Sequence, residues 1–218
     1  MTKMSTGSRA YRLTVVALTC AVTAVMAQVR FNVGPIPYTM QNVGVILSGL
    51  LLPPAYAAGA MLLYLLLIGL GLPLAAGFAG GPSVILGYCG GYLVGFVISA
   101  FLTSLLSEAY LRWRGIELSE VKGRDFAALL ALSFVAILPT YVLGFIVFSF
   151  YALPGSVLYG WSVKVSSWLG LGARGITALF IASVLIFIPQ DLLMDHVIAI
   201  AVARGVAGLL KSKGVGLA

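Results

Sequence analysis

The chain has 218 residues, of which 61% are hydrophobic and 9% charged, with a mean hydropathy of +1.10; soluble domains carry about 25% charged residues. This composition excludes a soluble globular domain, a disordered tail and a disulfide scaffold, and leaves room for about six membrane spans of roughly 20 residues joined by short loops. The net charge of +7 comes from basic residues lying between apolar runs, so it reads as a topology signal, and no nucleic acid partner is expected.

Six apolar segments follow one another, at about residues 13–28, 40–52, 55–71, 84–106, 126–150 and 175–210. The expected architecture is an all-α integral membrane protein, a bundle of six transmembrane helices making one domain over residues 1–218. The first segment also has the basic start, apolar core and Val25-Met26-Ala27 ending of a secretory signal cleaved after Ala27. Five spans would then be left over, and Ala17, Ala21, Ala24 and Ala27 recur at helical spacing, which favours a retained helix. Such small residues serve either packing within the bundle or the docking of a partner subunit.

Between the first two segments runs a polar stretch from Arg30 to Asn42, including Val33, Tyr38, Thr39 and Gln41. Gly34, Pro35 and Pro37 stiffen it, so Tyr38, Thr39 and Gln41 can be presented at the mouth of a bundle with little ordering entropy, or Thr39 and Asn42 can cap a helix. The second segment ends at Pro53-Pro54, which requires a tight turn into the third. The next loop, Gly71 to Pro82, has Gly77, Gly80 and Gly81 and no charge. Its backbone N–H groups could cradle an anion, but it lacks the lysine and spacing of a P-loop, and no GxxxxGK[ST] occurs in the chain.

Gly87, Gly91 and Gly95 place a glycine at every fourth position of the fourth segment, which predicts close helix packing. Tyr88 and Tyr92 beside them suit either an interfacial anchor or a wall for an apolar ring. Cys20 and Cys89 lie in apolar stretches without CxxC spacing and read as free thiols. The mixed-charge stretch 107–125 reads as a connection between spans. The final segment is too long for one straight span and contains Pro189, so its helix is expected to be kinked or broken there. It also carries Gln190, Asp191, Asp195 and His196. Asp191 in an apolar stretch implies a cavity, a partner or water, or else a helix cap at Pro189. Two carboxylates and one histidine make a poor metal site, and His196 is the sole histidine, with no GxSxG motif. Neither a metal, a cofactor nor an enzymatic activity is expected.

Six spans put both termini on one side. Lys3, Arg9, Arg12, Arg112, Arg114, Lys122, Arg124, Arg204, Lys211 and Lys213 fall there, against Arg30, Lys164 and Arg174 on the other. Both termini are therefore expected to be cytoplasmic, in a multi-pass protein of the cell membrane whose external face is built from the loops near 29–39, 72–83 and 151–174.

Three stretches, taken together and in order, resemble the BioY family, the biotin-specific substrate-binding (S) components of energy-coupling factor (ECF) transporters. They are Ile36-Pro37-Tyr38-Thr39-Met40-Gln41, like V-P-F-T-L-Q; Gly71-Leu72-Pro73 through Gly80-Gly81 to Gly90-Gly91-Tyr92-Leu93-Val94-Gly95-Phe96, like G-L-P-V-F-A-G…G-G-Y-L-I-G-F; and Phe187-Ile188-Pro189-Gln190-Asp191-Leu192-Leu193, like F-I-P-G-D-L-L-K. The departures are Met194 for the lysine, Gln190 for the glycine, and Tyr88-Cys89 for a Pro-Thr pair. The missing lysine removes a cation, for which Lys164 or Arg30 would compensate.

The resemblance implies capture of biotin from outside and its uptake together with a transmembrane coupling subunit and ATPase subunits. It implies docking of the coupling subunit on the small-residue face of the first span, at Ala17 and Ala21. It further implies that Asp191 and Gln41 meet the ureido group, that Tyr92 and Phe78 wall the ring, and that N–H groups around Gly77, or Lys164, meet the carboxylate. Another vitamin as ligand, a stand-alone proton-coupled carrier in which Asp191 titrates, and a lipid-active membrane enzyme are the alternatives.

Overall fold

A computed structural model describes residues 9–32 and 34–213; Lys3 and Val33 lie outside the described residues. Eight helices and one two-stranded ribbon succeed one another: α1 (Arg9–Met26), β1 (Arg30–Asn32), β2 (Pro37–Thr39), α2 (Gln41–Leu51), α3 (Pro54–Gly69), α4 (Pro82–Leu86), α5 (Gly90–Arg114), α6 (Arg124–Tyr151), α7 (Val157–Trp168) and α8 (Gly175–Ser212). Of these, α1, α5, α6 and α8 are long and apolar enough to cross a membrane, while α2 and α3 are shorter apolar helices.

Local chemistry sets the boundaries. Pro54 stands in the first turn of α3 after Pro53, where a missing N–H costs no helical bond. Gly115 closes α5 in the left-handed conformation at φ 65°, and the Ser156 hydroxyl accepts from the Tyr159 N–H to start α7.

Two expectations need correction. The segment expected at 84–106 is two helices, because a bend and turn at residues 87–89 separate α4 from α5, which then continues to Arg114. A Cβ on Gly90 would sit 1.7 Å from the Ile85 carbonyl oxygen, so the turn requires glycine there. The stretch 151–174, expected as a loop, contains the twelve-residue α7, which carries Lys164 and three serines among its apolar residues.

Helix α8 runs through Pro189 without separating into two: Phe187 and Gln190 keep right-handed helical dihedrals on either side. The proline, which has no N–H to give, is instead flanked by two widened π turns, Ile181–Leu185 and Asp191–His196.

Small residues bring the helices together. A Cβ on Gly91 would lie 2.1 Å from the Leu143 carbonyl oxygen, and one on Gly95 would lie 2.4 Å from Thr140 Cα. The glycine spacing thus lets α5 approach α6, its most extensive partner. Gly144 of α6 receives the ring of Tyr92 in return. Hydroxyls complete the interfaces, as in Ser99 to Thr140 at 2.9 Å and Ser104 Oγ donating to Leu52 O at 2.6 Å. Helix α1 packs on α2 and α3 through Val15, Thr19, Cys20 and Thr23, all buried. Ala17 and Ala21 are exposed on its other side, so they take no part in packing this chain's own bundle.

Candidate functional site

At the end of the bundle where α5 begins, a cavity of about 260 Å³ is enclosed by β2, the start of α2, the loop 75–89, α5, α6 and α8. Ligand sites commonly hold about 300–1,000 Å³, so this one suits a compact molecule. Its walls are largely apolar, including Ile36, Ala75, Ala79, Val84, Leu93, Phe96 and Phe187, with polar groups from Thr39, Gln41, Asn42, Tyr88, Tyr92, Tyr141 and Asp191.

Asp191 is the centre of the polar side. It is 3% exposed and lies at the start of the second π turn of α8. One of its oxygens, Oδ2, accepts both from Asn42 Nδ2 at 2.9 Å and from the Tyr141 hydroxyl. No cationic side chain lines the cavity, so the carboxylate is held by neutral donors from α2 and α6. Asn42 Oδ1 is buried without a partner, leaving an acceptor beside the carboxylate. A site of this kind offers acceptors to N–H donors of a bound molecule and disfavours one that lacks them.

The other polar wall residues are tied to the scaffold. Thr39 Oγ1 donates to Gln41 Oε1 at 2.7 Å, Gln41 Nε2 donates to the Tyr64 hydroxyl at 2.8 Å, and that hydroxyl donates to Leu74 O at 2.9 Å. This directional chain joins the ribbon, α2 and α3 to the glycine loop. Gln41 therefore lines the cavity with its amide already used, instead of lying free beside Asp191. Tyr92 donates to Ser183 O at 2.6 Å in the first π turn, which fixes its ring as a wall. Tyr38 stacks on Phe187, centroids 4.2 Å apart, and donates to Ile186 O at 2.9 Å; it supports the wall from behind.

The glycine loop is closed on itself. Ala75 N–H donates to Ala79 O at 3.0 Å, Gly81 N–H to Ile68 O at 2.7 Å, and Phe78 N–H to Gln28 Oε1 at 3.0 Å. Gln28 also donates to Ala75 O at 3.0 Å, clamping the loop to the end of α1. These N–H groups are thus engaged internally. Gly77 and Phe78 both have positive φ, 71° and 58°, a conformation rare for a residue such as phenylalanine. The Phe78 side chain is 70% exposed; Ala76 and Ala79, on either side of Gly77 and Phe78, are the ones that line the cavity. Lys164 is exposed on α7 and is not a wall residue.

Of the residues expected from the sequence, the structure thus brings Thr39, Gln41, Tyr92 and Asp191 to the cavity, puts Tyr38 directly behind it, and leaves Gly77, Phe78 and Lys164 off its wall. Three contributors were missed. Asn42, for which the sequence offered a helix cap as one alternative, instead sends its side chain across to Asp191. Tyr141 carried a signal, a hydroxyl deep in an apolar span just after Pro139. Gln28, a polar residue at the end of the first span, carried another. Asp195 and His196 turn to other partners: Gln190 Nε2 donates to Asp195 Oδ1 at 3.0 Å, and His196 Nδ1 lies 2.7 Å from Ser133 Oγ.

Comparison with known proteins bears on this site. Residues 1–212 match the model of the BioY family. The chain is 43% identical over 97 residues to a probable biotin transporter BioY of Pyrococcus horikoshii, covering 44% of this chain and 60% of that protein. It is 37% identical over 131 residues to the biotin transporter BioY of Thermotoga maritima, covering 60% and 70%. The matched stretch thus spans about three fifths of the Pyrococcus relative. Among solved structures, the S-component for biotin from an ECF-type ABC transporter superposes with a TM-score of 0.69 over 94% of each chain, at 20% identity, which establishes a shared fold.

Proposed function

The chain belongs to the BioY family, and from that premise we propose that it captures biotin at the cavity beside Asp191 and serves as the substrate-binding subunit of an ECF-type transporter. The observation that carries this reading is the Asp191 site itself: a buried carboxylate and the free Asn42 carbonyl face an otherwise apolar cavity. Biotin offers two ureido N–H donors to acceptors of this kind and an apolar sulfur ring to walls such as Tyr92 and Phe187. Relatives named as biotin transporters support the choice of ligand.

In this reading residues 1–218 form one transmembrane domain with six spans, α1, α2, α3, α5, α6 and α8, and with both termini in the cytoplasm. The basic residues at the Arg114 end of α5 support that orientation. The chain has no P-loop, so energy comes from ATPase subunits through a transmembrane coupling subunit, and the protein is not an enzyme. Ala17 and Ala21, exposed and small on α1, form the docking face for the coupling subunit.

The test is uptake of labelled biotin into cells carrying this chain with or without coupling and ATPase subunits. Dependence of uptake on those subunits is expected, and Ala21→Trp should block uptake while leaving biotin binding intact. Uptake without them that follows an imposed proton gradient would instead identify a stand-alone carrier.

A further inference from the structure

The cavity presents a carboxylate and no cation, yet biotin carries a negative charge on its tail. Arg30 is exposed and is not itself a wall residue, but its neighbours on two sides are close to the wall. Arg30 stands opposite Thr39 in the antiparallel ribbon, so the two side chains project from the same face, and Thr39 lines the cavity. The Arg30 guanidinium lies against the glycine loop. A Cβ on Gly77 would be 2.5 Å from Nη1 and 2.9 Å from Cζ, so glycine leaves room for the guanidinium in this position. Gly77 follows directly on Ala76, a wall residue, with Ala79 two positions further on. The guanidinium thus lies beside the rim, next to Gly77 and on the face of the ribbon that carries Thr39.

Its charge is also uncommitted. Among the described residues, the ion pairs are Arg112 with Glu108, Arg114 with Asp125, and Lys211 with Glu117 and Glu120. Arg30 takes part in none of them, and the acidic residues they contain lie on α5, α6 and the connection between them. Lys164, the other candidate to replace the lysine lost at Met194, is exposed on α7 and borders no part of the wall.

We propose that Arg30 is the counter-ion for the ligand's carboxylate at the rim of the cavity, and that it makes the protein prefer an anionic tail over a neutral one. This rests on the biotin reading above. It gives the two ends of the ligand different partners: neutral donors and acceptors around Asp191 for the ring, and a guanidinium, able to meet a carboxylate in a two-pronged fashion, for the tail. The Gly77 turn has a role in this arrangement, as the platform on which the guanidinium rests.

The experiment is equilibrium binding of biotin and of biotinamide, its uncharged analogue, to the purified full chain in detergent. Wild type should bind biotin on the order of tenfold more tightly than biotinamide. Arg30→Gln should weaken biotin by on the order of tenfold and leave biotinamide within about twofold, and Arg30→Lys should restore much of the loss. The proposal is overturned if wild type binds both ligands equally, a result that does not depend on the variants folding. It is also overturned if Arg30→Gln changes neither ligand or weakens both alike. Failure of wild type to bind either ligand would instead overturn the biotin reading on which the proposal rests.

Discussion

Where α5 ends at Arg114, charge meets charge in the open: Arg114 Nε donates to Asp125 at 2.8 Å, and Lys211 Nζ reaches Glu117 at 3.1 Å and Glu120 at 3.0 Å. Toward the other end of α5, about 28 Å along the helix from Arg114 at the level of Gly95, a carboxylate is buried with no cation beside it, held by the Asn42 amide and the Tyr141 hydroxyl. Exposed ion pairs contribute little, because water and salt screen them and two long side chains lose freedom. A buried carboxylate is expensive to desolvate and persists where function requires it. In the proposed reading the two ends therefore differ in purpose: one can lose its partners with small consequence, and the other receives the ligand.

The largest effect is expected at Asp191. Asp191→Ala should lower biotin affinity by about a hundredfold or more, since it leaves the ligand's donors and the Asn42 and Tyr141 donors unpaired. Asp191→Asn, which keeps an oxygen acceptor for Tyr141 and Asn42, should fold as wild type and bind at an intermediate level. Isothermal titration together with thermal melting separates binding from folding.

Gly91→Ala should destabilise the fold by about 1–3 kcal/mol, because the new Cβ meets the Leu143 carbonyl and forces α5 away from α6. A melting temperature unchanged by this substitution would show that the close approach at the cavity's end of α5 is not needed. Tyr141→Phe is expected to cost about 1–2 kcal/mol of binding, on the order of tenfold, through loss of one hydrogen bond to Asp191 with Asn42 still in place.

At the charged end, Lys211→Ala should leave both biotin affinity and melting temperature within measurement error. The Glu120 carboxyl is held below the usual carboxylate range, first by the Glu117 backbone N–H and then by Lys211. A depressed carboxyl stabilises the fold above its unfolded value and loses that contribution as the pH falls through the folded value. The contribution of this group to the melting temperature, read as the difference between wild type and Glu120→Gln, should therefore be constant from pH 7 to about 5 and shrink below about 4.5. A loss of that difference between pH 7 and 5 would contradict a depressed Glu120 carboxyl.

Apolar runs and Pro or Gly punctuation made α1, α6 and α8 readable to within a few residues. By contrast, α5 begins six residues later than the expected 84 and runs eight residues past the expected end at 106, into the charged stretch expected as a connection. The glycines at 91 and 95 make the close packing that the spacing predicted, whereas Gly87 lies before α5, and the break ahead of Gly90 depends on the distance to Ile85, which spacing does not contain. Asp191 stood out in the sequence because a lone carboxylate in an apolar run has few structural uses, and it lines the cavity. Its partners were not, since Asn42 and Tyr141 lie 149 and 50 residues away in the chain and converge only through helix packing. Phe78 was misplaced for a local reason. Its positive φ turns the ring outward, and a glycine-rich stretch does not disclose which of its neighbours shares that conformation.

The most direct test is equilibrium binding of biotin to the purified chain, with riboflavin and thiamine as competitors and Asp191→Ala as the control. The account predicts saturable binding that neither competitor displaces and that the substitution abolishes. Folded protein that binds no biotin, or binds it equally well with alanine at position 191, would contradict it.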